Sequence, residues 1–155
     1  MSFENVKEYF ESIGLSERIK VLDQSSATVR LAAQAIGCEE KQIAKTLAFL
    51  VDGFPILIVT AGNMKVDNKK FKSIFNQKPK MIPIDLIEDY IGHDLGGVCP
   101  FAVKPNVTVY LDTSLKQNDI IYPAAGSENS MVELSIKELE KYSDFKNWID
   151  ISKNC

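Results

Sequence analysis

Residues 43–60 read Ile43-Ala44-Lys45-Thr46-Leu47-Ala48-Phe49-Leu50-Val51-Asp52-Gly53-Phe54-Pro55-Ile56-Leu57-Ile58-Val59-Thr60, and they constrain the fold more than any other segment. The Asp52-Gly53 pair lies between two runs rich in β-branched and aromatic residues, which predicts a β-hairpin with a type I′ turn. Pro55 lacks an N–H donor, so we expect it at an unpaired edge or at the first pairing position of its strand. The apolar runs 47–51 and 56–59 are typical of strands covered on both faces. The hairpin is therefore predicted to form the core.

Shorter elements flank the hairpin on both sides. Helical spacing and capping residues predict helices over 2–13, 29–36, 67–75, 84–91 and 135–142. Short apolar runs predict strands over 19–22, 81–82, 107–111, 120–123, 131–134 and 148–151. No repeat or linker interrupts this order, so residues 1–155 are predicted to form one domain. The order is neither regular β-α-β alternation nor all-β, which favours an α+β domain around a mixed sheet flanked by helices.

Composition sets further bounds. A chain of 155 residues that is 45 % hydrophobic fits one globular domain, and no apolar run approaches the roughly 18 residues of a membrane span. The amino-terminal residues begin an amphipathic helix rather than a secretion leader, so we expect a cytoplasmic protein.

The three cysteines are widely spaced, and the single histidine, His93, has no ligand-like partner nearby. Neither a zinc site nor a disulfide framework is predicted, and no metal or cofactor is expected.

Charge is distributed unevenly along the chain. The net charge of −3 argues against a general nucleic-acid binder such as a DNA-binding protein, which usually has a strongly basic domain. Residues 65–80 nevertheless contain a group of lysines opposed only by Asp67, namely Lys65, Lys69, Lys70, Lys72, Lys78 and Lys80. Such a patch suits a modest contact with phosphates, although a solvated helix face has the same composition.

A glycine-rich turn is the strongest candidate for a site. Residues 92–101 read Gly92-His93-Asp94-Leu95-Gly96-Gly97-Val98-Cys99-Pro100-Phe101. The adjacent glycines allow positive φ and close approach of a ligand, and main-chain N–H groups at such a turn can hold an oxyanion. A tight connector between a helix and a strand has the same composition. Cys99 is either a small buried apolar residue or a nucleophile that would need His93 as its base.

Three further segments carry polar groups suited to a site. Lys45 lies at the start of an otherwise apolar strand, so it either turns outward or projects into a pocket. Loop 124–130 is small and polar, which is typical of a turn but also of a loop that orients a ligand. Segment 25–28 is typical of a helix cap. The sequence has no Ser-His-Asp set, paired catalytic carboxylates or P-loop, so a reaction here would depend on positioned donors and a bound water.

Four of these segments together resemble a known family. They are Ile43-Ala44-Lys45-Thr46-Leu47, Gly96-Gly97-Val98-Cys99-Pro100-Phe101, Tyr110-Leu111-Asp112 followed by Leu115, and Ala125-Gly126-Ser127. In this order they resemble the YbaK/EbsC-type proteins, which are related to the editing domain inserted in bacterial prolyl-tRNA synthetases. The resemblance covers about residues 21–139, and each motif alone would be weak. It indicates a free-standing editing domain.

The resemblance implies a fold and an activity. The fold is a strongly curved mixed sheet flanked by helices. The activity is hydrolysis of the ester of a mischarged tRNA, typically tRNA(Pro) carrying a small wrong amino acid such as Cys or Ala. The implied partners are aminoacyl-tRNA and a synthetase such as prolyl-tRNA synthetase, with no membrane and no DNA. An aminoacyl ester is already activated, so its hydrolysis needs mainly orientation and stabilisation of the developing oxyanion.

The resemblance also implies site residues. Lys45 would bind the terminal phosphate or ribose of the tRNA, or the substrate carbonyl, and the Gly96 and Gly97 N–H groups would hold the ester carbonyl. The substrate-binding residues would be Thr46, Val98, Cys99, Pro100, Gly126, Ser127 and Asn129. The tRNA acceptor stem would meet Lys65, Lys69, Lys70 and Lys72. Two alternatives remain, a non-catalytic module that binds tRNA or a synthetase, and a thiol hydrolase that uses Cys99 and His93.

Overall fold

The computed structural model of the protein describes residues 2–155. Its α-helices are α1 Ser2–Ser12, α2 Val29–Ile36, α3 Asn68–Phe75, α4 Ile87–Ile91 and α5 Ile136–Tyr142. Its strands are β1 Ile19–Val21, β2 Ile43–Val51, β3 Phe54–Ala61, β4 Met64–Val66, β5 Thr108–Asp112, β6 Ile120–Pro123, β7 Ser130–Val132, β8 Leu134–Ser135, β9 Asn147–Ile149 and β10 Ser152–Asn154. No helix within this part of the chain combines the length and the apolar character needed to cross a bilayer.

A six-stranded mixed sheet organises the molecule. Its strand order is β8-β6-β2-β3-β5-β9, and two-stranded sheets β1-β7 and β4-β10 lie beside it. The pairs β2-β3 and β6-β8 are antiparallel, whereas β2-β6, β3-β5 and β5-β9 are parallel. The α+β prediction with a mixed sheet flanked by helices is therefore confirmed.

The central hairpin has the predicted turn. Asp52 has φ 51° and Gly53 has φ 80°, so both central residues lie in the left-handed region that a type I′ turn requires. Pro55 lies opposite Leu50, one position beyond the pair that closes the turn. The nitrogen of Pro55 therefore faces away from β2, and β5 pairs with β3 only from Ile56 onwards. Proline fits because no ladder partner needs its missing N–H.

The hairpin is covered on both faces, as its apolar runs predict. On one face Leu57 and Val59 belong to the largest core cluster, together with Phe10 of α1 and Phe101. On the other face a second cluster gathers Phe49, Ile56 and Ile58 of the hairpin with Phe71 of α3 and Ile151. Side chains alternate between the faces of a strand, so one hairpin supplies both clusters.

One predicted strand is divided in two. Residues 131–134 were expected to form a single strand, but β7 pairs with β1 whereas β8 pairs with β6. Glu133 lies between them, and its N–H donates to the carbonyl of Arg18. The chain passes from one sheet to the other at Glu133. The mostly apolar residues 131–134 indicate a strand but not this change of partner. Strand β10 was not predicted from the sequence. All its residues are polar, so no alternation of apolar and polar side chains indicates that it pairs with β4.

Candidate active site

A cavity of about 350 Å³ lies at a gap in the edge of β2. Strand β6 pairs with Ile43 and Ala44 of β2. Further along the same edge, Leu50 donates to the Lys80 carbonyl (2.9 Å) and Ile82 donates to the Ala48 carbonyl (3.1 Å). Residues 45–47 therefore have no neighbouring strand on this side. The cavity occupies the space that such a strand would fill.

Small residues on β2 make room for the cavity. Ala44, Thr46 and Ala48 alternate along the strand, so their side chains share one face. All three line the cavity, together with branched apolar residues from later segments, which are Ile82, Ile87 and Val98. Bulky residues at 44 and 48 would occupy this volume. The pattern of small residues in an otherwise bulky strand is the sequence signal for the cavity.

Three loops contact one another beside the cavity: segment 25–28, the glycine loop 94–98 and the serine loop 125–130, and the first two contribute residues to its lining. Ser26 ties the first to the third, since both its N–H (2.6 Å) and its hydroxyl (3.1 Å) donate to the Glu128 carbonyl. Gly96 lies between them, and a Cβ there would be 3.1 Å from Cβ of Glu128 and 3.6 Å from Cβ of Ala27. A side chain at Gly96 would therefore press against Glu128, in a backbone conformation with φ +88° that side chains rarely adopt.

The paired glycines differ in their hydrogen bonding. Gly97 N–H donates to the Asp94 carbonyl (3.0 Å), and the Gly97 carbonyl accepts from Gly126 N–H (3.1 Å). A Cβ on Gly97 would lie 2.2 Å from the carbonyl carbon of Gly126, so the two backbones are in direct contact. Gly96 has φ +88° and lines the cavity, and its N–H has no hydrogen-bond partner among residues 2–155. Gly96 is thus the glycine whose donor is free for a ligand.

Lys45 borders the cavity from the other face of β2. Its ammonium donates to the Met64 carbonyl in β4. Burial lowers the pKa of Lys45, and the negative charge of Cys155, which follows β10, opposes that effect. Lys45 is also the single ionisable side chain among the residues that line the cavity. The site therefore contains a partly desolvated cation and no carboxylate or imidazole.

The serine loop is held by its own side chains. The Ser127 hydroxyl contacts both Asn129 Oδ1 (3.0 Å) and the hydroxyl of Ser130. Asn129 Nδ2 donates to the Leu22 carbonyl (3.2 Å).

The cavity brings together four of the predicted residues, which are Lys45, Thr46, Gly96 and Val98. It does not include the others proposed for catalysis or acyl binding, which are Gly97, Cys99, Pro100, Gly126, Ser127 and Asn129.

Cys99 and His93 are neighbours in the core. Cys99 Sγ lies 3.4 Å from His93 Nε2, but Cys99 is fully buried and burial raises its pKa to about 12. His93 Nε2 is 2.6 Å from the Phe101 carbonyl, and its Nδ1 is 2.7 Å from the Ser2 hydroxyl. A carbonyl only accepts, so Nε2 carries the proton and cannot take one from the thiol. This geometry disfavours the thiol hydrolase and fits Cys99 as a small buried residue.

The lysines predicted to form a patch are exposed with the exception of Lys70, and Lys69, Lys72 and Lys78 border one surface depression. Lys65, Lys69, Lys72, Lys78 and Lys80 are exposed. Lys70 instead bonds Asp150 (3.0 Å) and the Ser152 carbonyl (2.7 Å). Lys153 of β10 pairs directly with Lys65 of β4 and so joins the patch. Met81, which follows Lys80, lines the cavity, so the patch reaches its rim.

The model of the aminoacyl-tRNA editing domain family matches residues 23–142, which include the hairpin and all three loops. This chain belongs to the aminoacyl-tRNA editing domain family. The family resemblance predicted from the four motifs is confirmed. Within residues 2–155 no group of His, Cys, Asp or Glu side chains is arranged to hold a metal ion.

Individual proteins and one solved structure are similar to this chain. "Uncharacterized protein YwhH" of Bacillus subtilis (strain 168) is 42% identical over 155 residues, which covers 99% of each chain. "Putative Cys-tRNA(Pro)/Cys-tRNA(Cys) deacylase EbsC" of Enterococcus faecalis (strain ATCC 700802 / V583) is 30% identical over 105 residues, or 66% of this chain and 64% of that protein. A crystal structure of "a putative trans-editing enzyme for prolyl tRNA synthetase" has the same fold, with TM-score 0.87 at 24% identity over 99% of this chain and 98% of that one.

The editing domain also has a rim that sequence reasoning missed. Met81, Ile84 and Leu95 line the cavity and are 59%, 71% and 60% exposed. Large apolar side chains at the mouth of a cavity often mark a binding surface. They come from two separate segments, so no local pattern in the sequence joins them.

Proposed function

We propose that this protein is a trans-acting aminoacyl-tRNA deacylase that hydrolyses the ester of a mischarged tRNA, with tRNA(Pro) carrying a small wrong amino acid as its substrate. The observation that carries the proposal is the cavity shared by Lys45 and Gly96 in a chain of the editing domain family. Its floor of Ala44, Thr46 and Ala48 suits a small acyl group. The names of the relatives, which refer to Cys-tRNA deacylation and to prolyl tRNA synthetase, support the same substrate class.

The proposed mechanism uses orientation and charge stabilisation rather than a protein base. In this scheme Gly96 N–H donates to the ester carbonyl oxygen, and this hydrogen bond strengthens as the oxygen becomes negative. Lys45 leaves the Met64 carbonyl and binds the terminal phosphate or ribose, or the carbonyl oxygen itself. Water adds to the acyl carbon, the acyl–oxygen bond breaks, and the ribose oxygen receives a proton from that water. Gly97 keeps the glycine loop in place, because its N–H already donates to Asp94.

The lysine patch supplies the contact with the rest of the tRNA. Lys65, Lys69 and Lys72 are exposed, and the patch leads to the rim at Met81. In the proposal the acceptor stem lies across these lysines while its 3′ end enters the cavity. Lys70 contributes less than the others, because it is already paired with Asp150.

The experiment is a mischarged-tRNA panel. The purified protein is incubated with tRNA(Pro) charged with cysteine, alanine or serine, and amino-acid release is measured against the spontaneous rate. We expect turnover of at least one of these substrates. Lys45→Ala is expected to slow it by about 100-fold, as for loss of an oxyanion-stabilising donor, whereas Lys45→Arg retains part of the rate. Deacylation by Lys45→Ala at the wild-type rate would remove Lys45 from the mechanism.

A non-catalytic binding module is the second candidate. The observation that favours it is the absence of an acid or base among the residues that line the cavity, apart from Lys45. Such a module would recruit mischarged tRNA, or a synthetase such as prolyl-tRNA synthetase, through the same lysines. Salt-sensitive tRNA binding without release of any amino acid from the panel would establish this function in place of hydrolysis.

A further inference from the structure

The motif Tyr110-Leu111-Asp112 has no part in the proposed mechanism, yet it carries a buried acid. Asp112 ends β5, and its side chain is completely buried. Within residues 2–155 no Lys, Arg or His side chain forms an ion pair with it. A buried charge without a counterion is costly unless hydrogen bonds satisfy it. The groups that supply those hydrogen bonds indicate what Asp112 does.

Asp112 binds the segment that leads into β10. Its Oδ1 accepts from Ile151 N–H (2.8 Å), and its Oδ2 accepts from the Ser152 hydroxyl (2.7 Å). The Ile151 carbonyl in turn accepts from the N–H of Asp67 (2.8 Å), the residue that follows β4. The carboxylate therefore fixes the start of β10 beside the end of β4.

The same carboxylate is linked to the chain that leads into β4. Its Oδ2 also accepts from Ser114 N–H (3.0 Å), and the Ser114 hydroxyl accepts from Ala61 N–H (3.0 Å) at the end of β3. Only Gly62 and Asn63 separate Ala61 from β4. The hydrogen bonds that begin at the carboxylate thus reach both ends of this short strand.

Strand β4 offers Lys45 a carbonyl that β10 does not use. Cys155 N–H donates to the Asn63 carbonyl (3.3 Å), and Met64 and Asn154 are the next pair of the ladder. Bonded and non-bonded pairs alternate in an antiparallel ladder, so Met64 directs its carbonyl away from β10. This carbonyl accepts from the Lys45 ammonium, which has no other hydrogen bond or ion pair within residues 2–155. The position of β4 therefore determines where the ammonium rests.

We infer that Asp112 is a positioning residue for Lys45 and that it acts through the β4–β10 pair. Asp112 does not line the cavity. It fixes β10 and the turn before β4, and β4 then holds the Met64 carbonyl beside the ammonium. A neutral carbonyl releases the ammonium to a phosphate or an ester oxygen more readily than a carboxylate in direct contact would. The inference rests on the proposed deacylase function and makes it more specific.

The first test measures how firmly the Lys45 ammonium is held, without any substrate. Exchange of its protons with water is followed by nuclear magnetic resonance of protein with isotope-labelled lysine, and Lys45→Arg identifies the signal. We expect slower exchange at Lys45 than at the exposed lysines. Asp112→Asn and the milder Ser152→Ala should each speed it by about threefold or more, as for the loss of one hydrogen bond.

The matched control for this test is Tyr9→Phe. It removes one long-range hydrogen bond, from the Tyr9 hydroxyl of α1 to the Tyr142 carbonyl of α5, and should leave exchange at Lys45 unchanged. Thermal unfolding verifies that each variant is folded, and Ser152→Ala serves alone if Asp112→Asn does not fold. Unchanged exchange at Lys45 in either folded variant would overturn the inference.

The second test separates positioning from a general effect on the fold. Asp112→Asn should lower deacylation of the best substrate in the panel by about tenfold, less than the loss of Lys45 itself. In the Lys45→Ala background it should change the rate by less than about twofold, because the residue that it positions is absent. Equal losses in both backgrounds would overturn the inference. If no ester is hydrolysed but exchange responds as expected, only the deacylase proposal fails.

Discussion

At the scale of single residues, burial decides what His93 does. The sequence places it between Gly92 and Asp94, and such a polar loop leaves a surface role and a hydrogen-bonded role open. In the structure His93 is fully buried between the Ser2 hydroxyl at the start of α1 and the Phe101 carbonyl. It therefore fixes the glycine loop to the first helix and to the segment that follows Cys99.

The burial of His93 predicts a pH dependence of stability. Burial lowers its pKa below the ordinary 6.5, and this effect outweighs the bond to Phe101 and the charge of Asp94, which raise it. Above about pH 6.5 the imidazole is neutral in both states. As pH falls below that value the unfolded chain takes up a proton before the folded one, so the free energy of unfolding decreases until the folded-state pKa is reached. The expected slope is at most about 1.4 kcal/mol per pH unit.

The measurement is urea unfolding between pH 7 and pH 5. Its control is His93→Gln, whose amide N–H can still donate to the Phe101 carbonyl but does not titrate. We expect the unfolding free energy of the wild type to fall more steeply over this range than that of the variant. Parallel pH profiles would mean that His93 titrates alike in the folded and unfolded chains.

At the scale of elements, β2 serves both the core and the cavity. Its odd-numbered residue Phe49 packs in the cluster against α3, and Ala44 and Ala48 belong to the main core while also lining the cavity. The gap exists because β6 ends its pairing at Ala44 and segment 80–82 begins at Ala48. The geometry of the candidate site is thus set by where β6 and segment 80–82 end their pairing with β2, and not by β2 alone.

Ala48→Leu tests this description of β2. The added carbons enter the cavity, so we expect a free energy of unfolding that falls by no more than about 1–3 kcal/mol, as for moderate overpacking. Deacylation of the best substrate in the panel is expected to fall by more than about tenfold, because the acyl group and the leucine compete for one volume. The matched control is Ala35→Leu on the half-buried side of α2, which should leave the rate unchanged. Wild-type activity of Ala48→Leu would mean that the acyl group does not lie on this face of β2.

At the scale of the whole molecule, charge is segregated by tertiary pairing. The net charge is −3, yet Lys69 and Lys72 of α3 border one surface depression with Lys78, and β10 adds Lys153 beside Lys65 of β4. Like charges directly opposite each other in a ladder are unfavourable for folding. Their presence on this acidic protein is consistent with a polyanionic partner.

Charge reversal tests the patch. The double variant Lys69→Glu with Lys72→Glu should weaken tRNA binding and lower the slope of log affinity against log salt by about 1.5, as expected when two phosphate contacts are lost. The control, Lys137→Glu with Lys141→Glu on α5, changes the net charge equally but lies outside the patch. Affinity is measured by filter binding at several salt concentrations. Equal losses in both pairs would indicate a general charge effect rather than a defined surface.

Much of the local structure was predictable because its causes are short-range. The Asp52-Gly53 turn requires two left-handed residues, and Asp-Gly supplies them at little cost. Thr28, Asp67 and Ser135 cap their helices through side-chain oxygens that accept from main-chain N–H groups within three residues. These interactions involve neighbours in the chain, so the sequence alone determined where the hairpin and three of the helices begin.

The sequence also determined the family, since four motifs in fixed order carry it. Only the tertiary structure decided which motif residues reach the cavity, because strands far apart in the chain meet there. The pairing of β2 with β6 joins residues about 80 positions apart and stops at Ala44, so Thr46 has no partner strand on that edge of β2. The contact of Gly97 with Gly126 turns one of two adjacent glycines into a support and leaves the other free. Pairing between residues that are distant in the chain produces no local pattern in the sequence. The positions of the site residues therefore follow only from the tertiary structure.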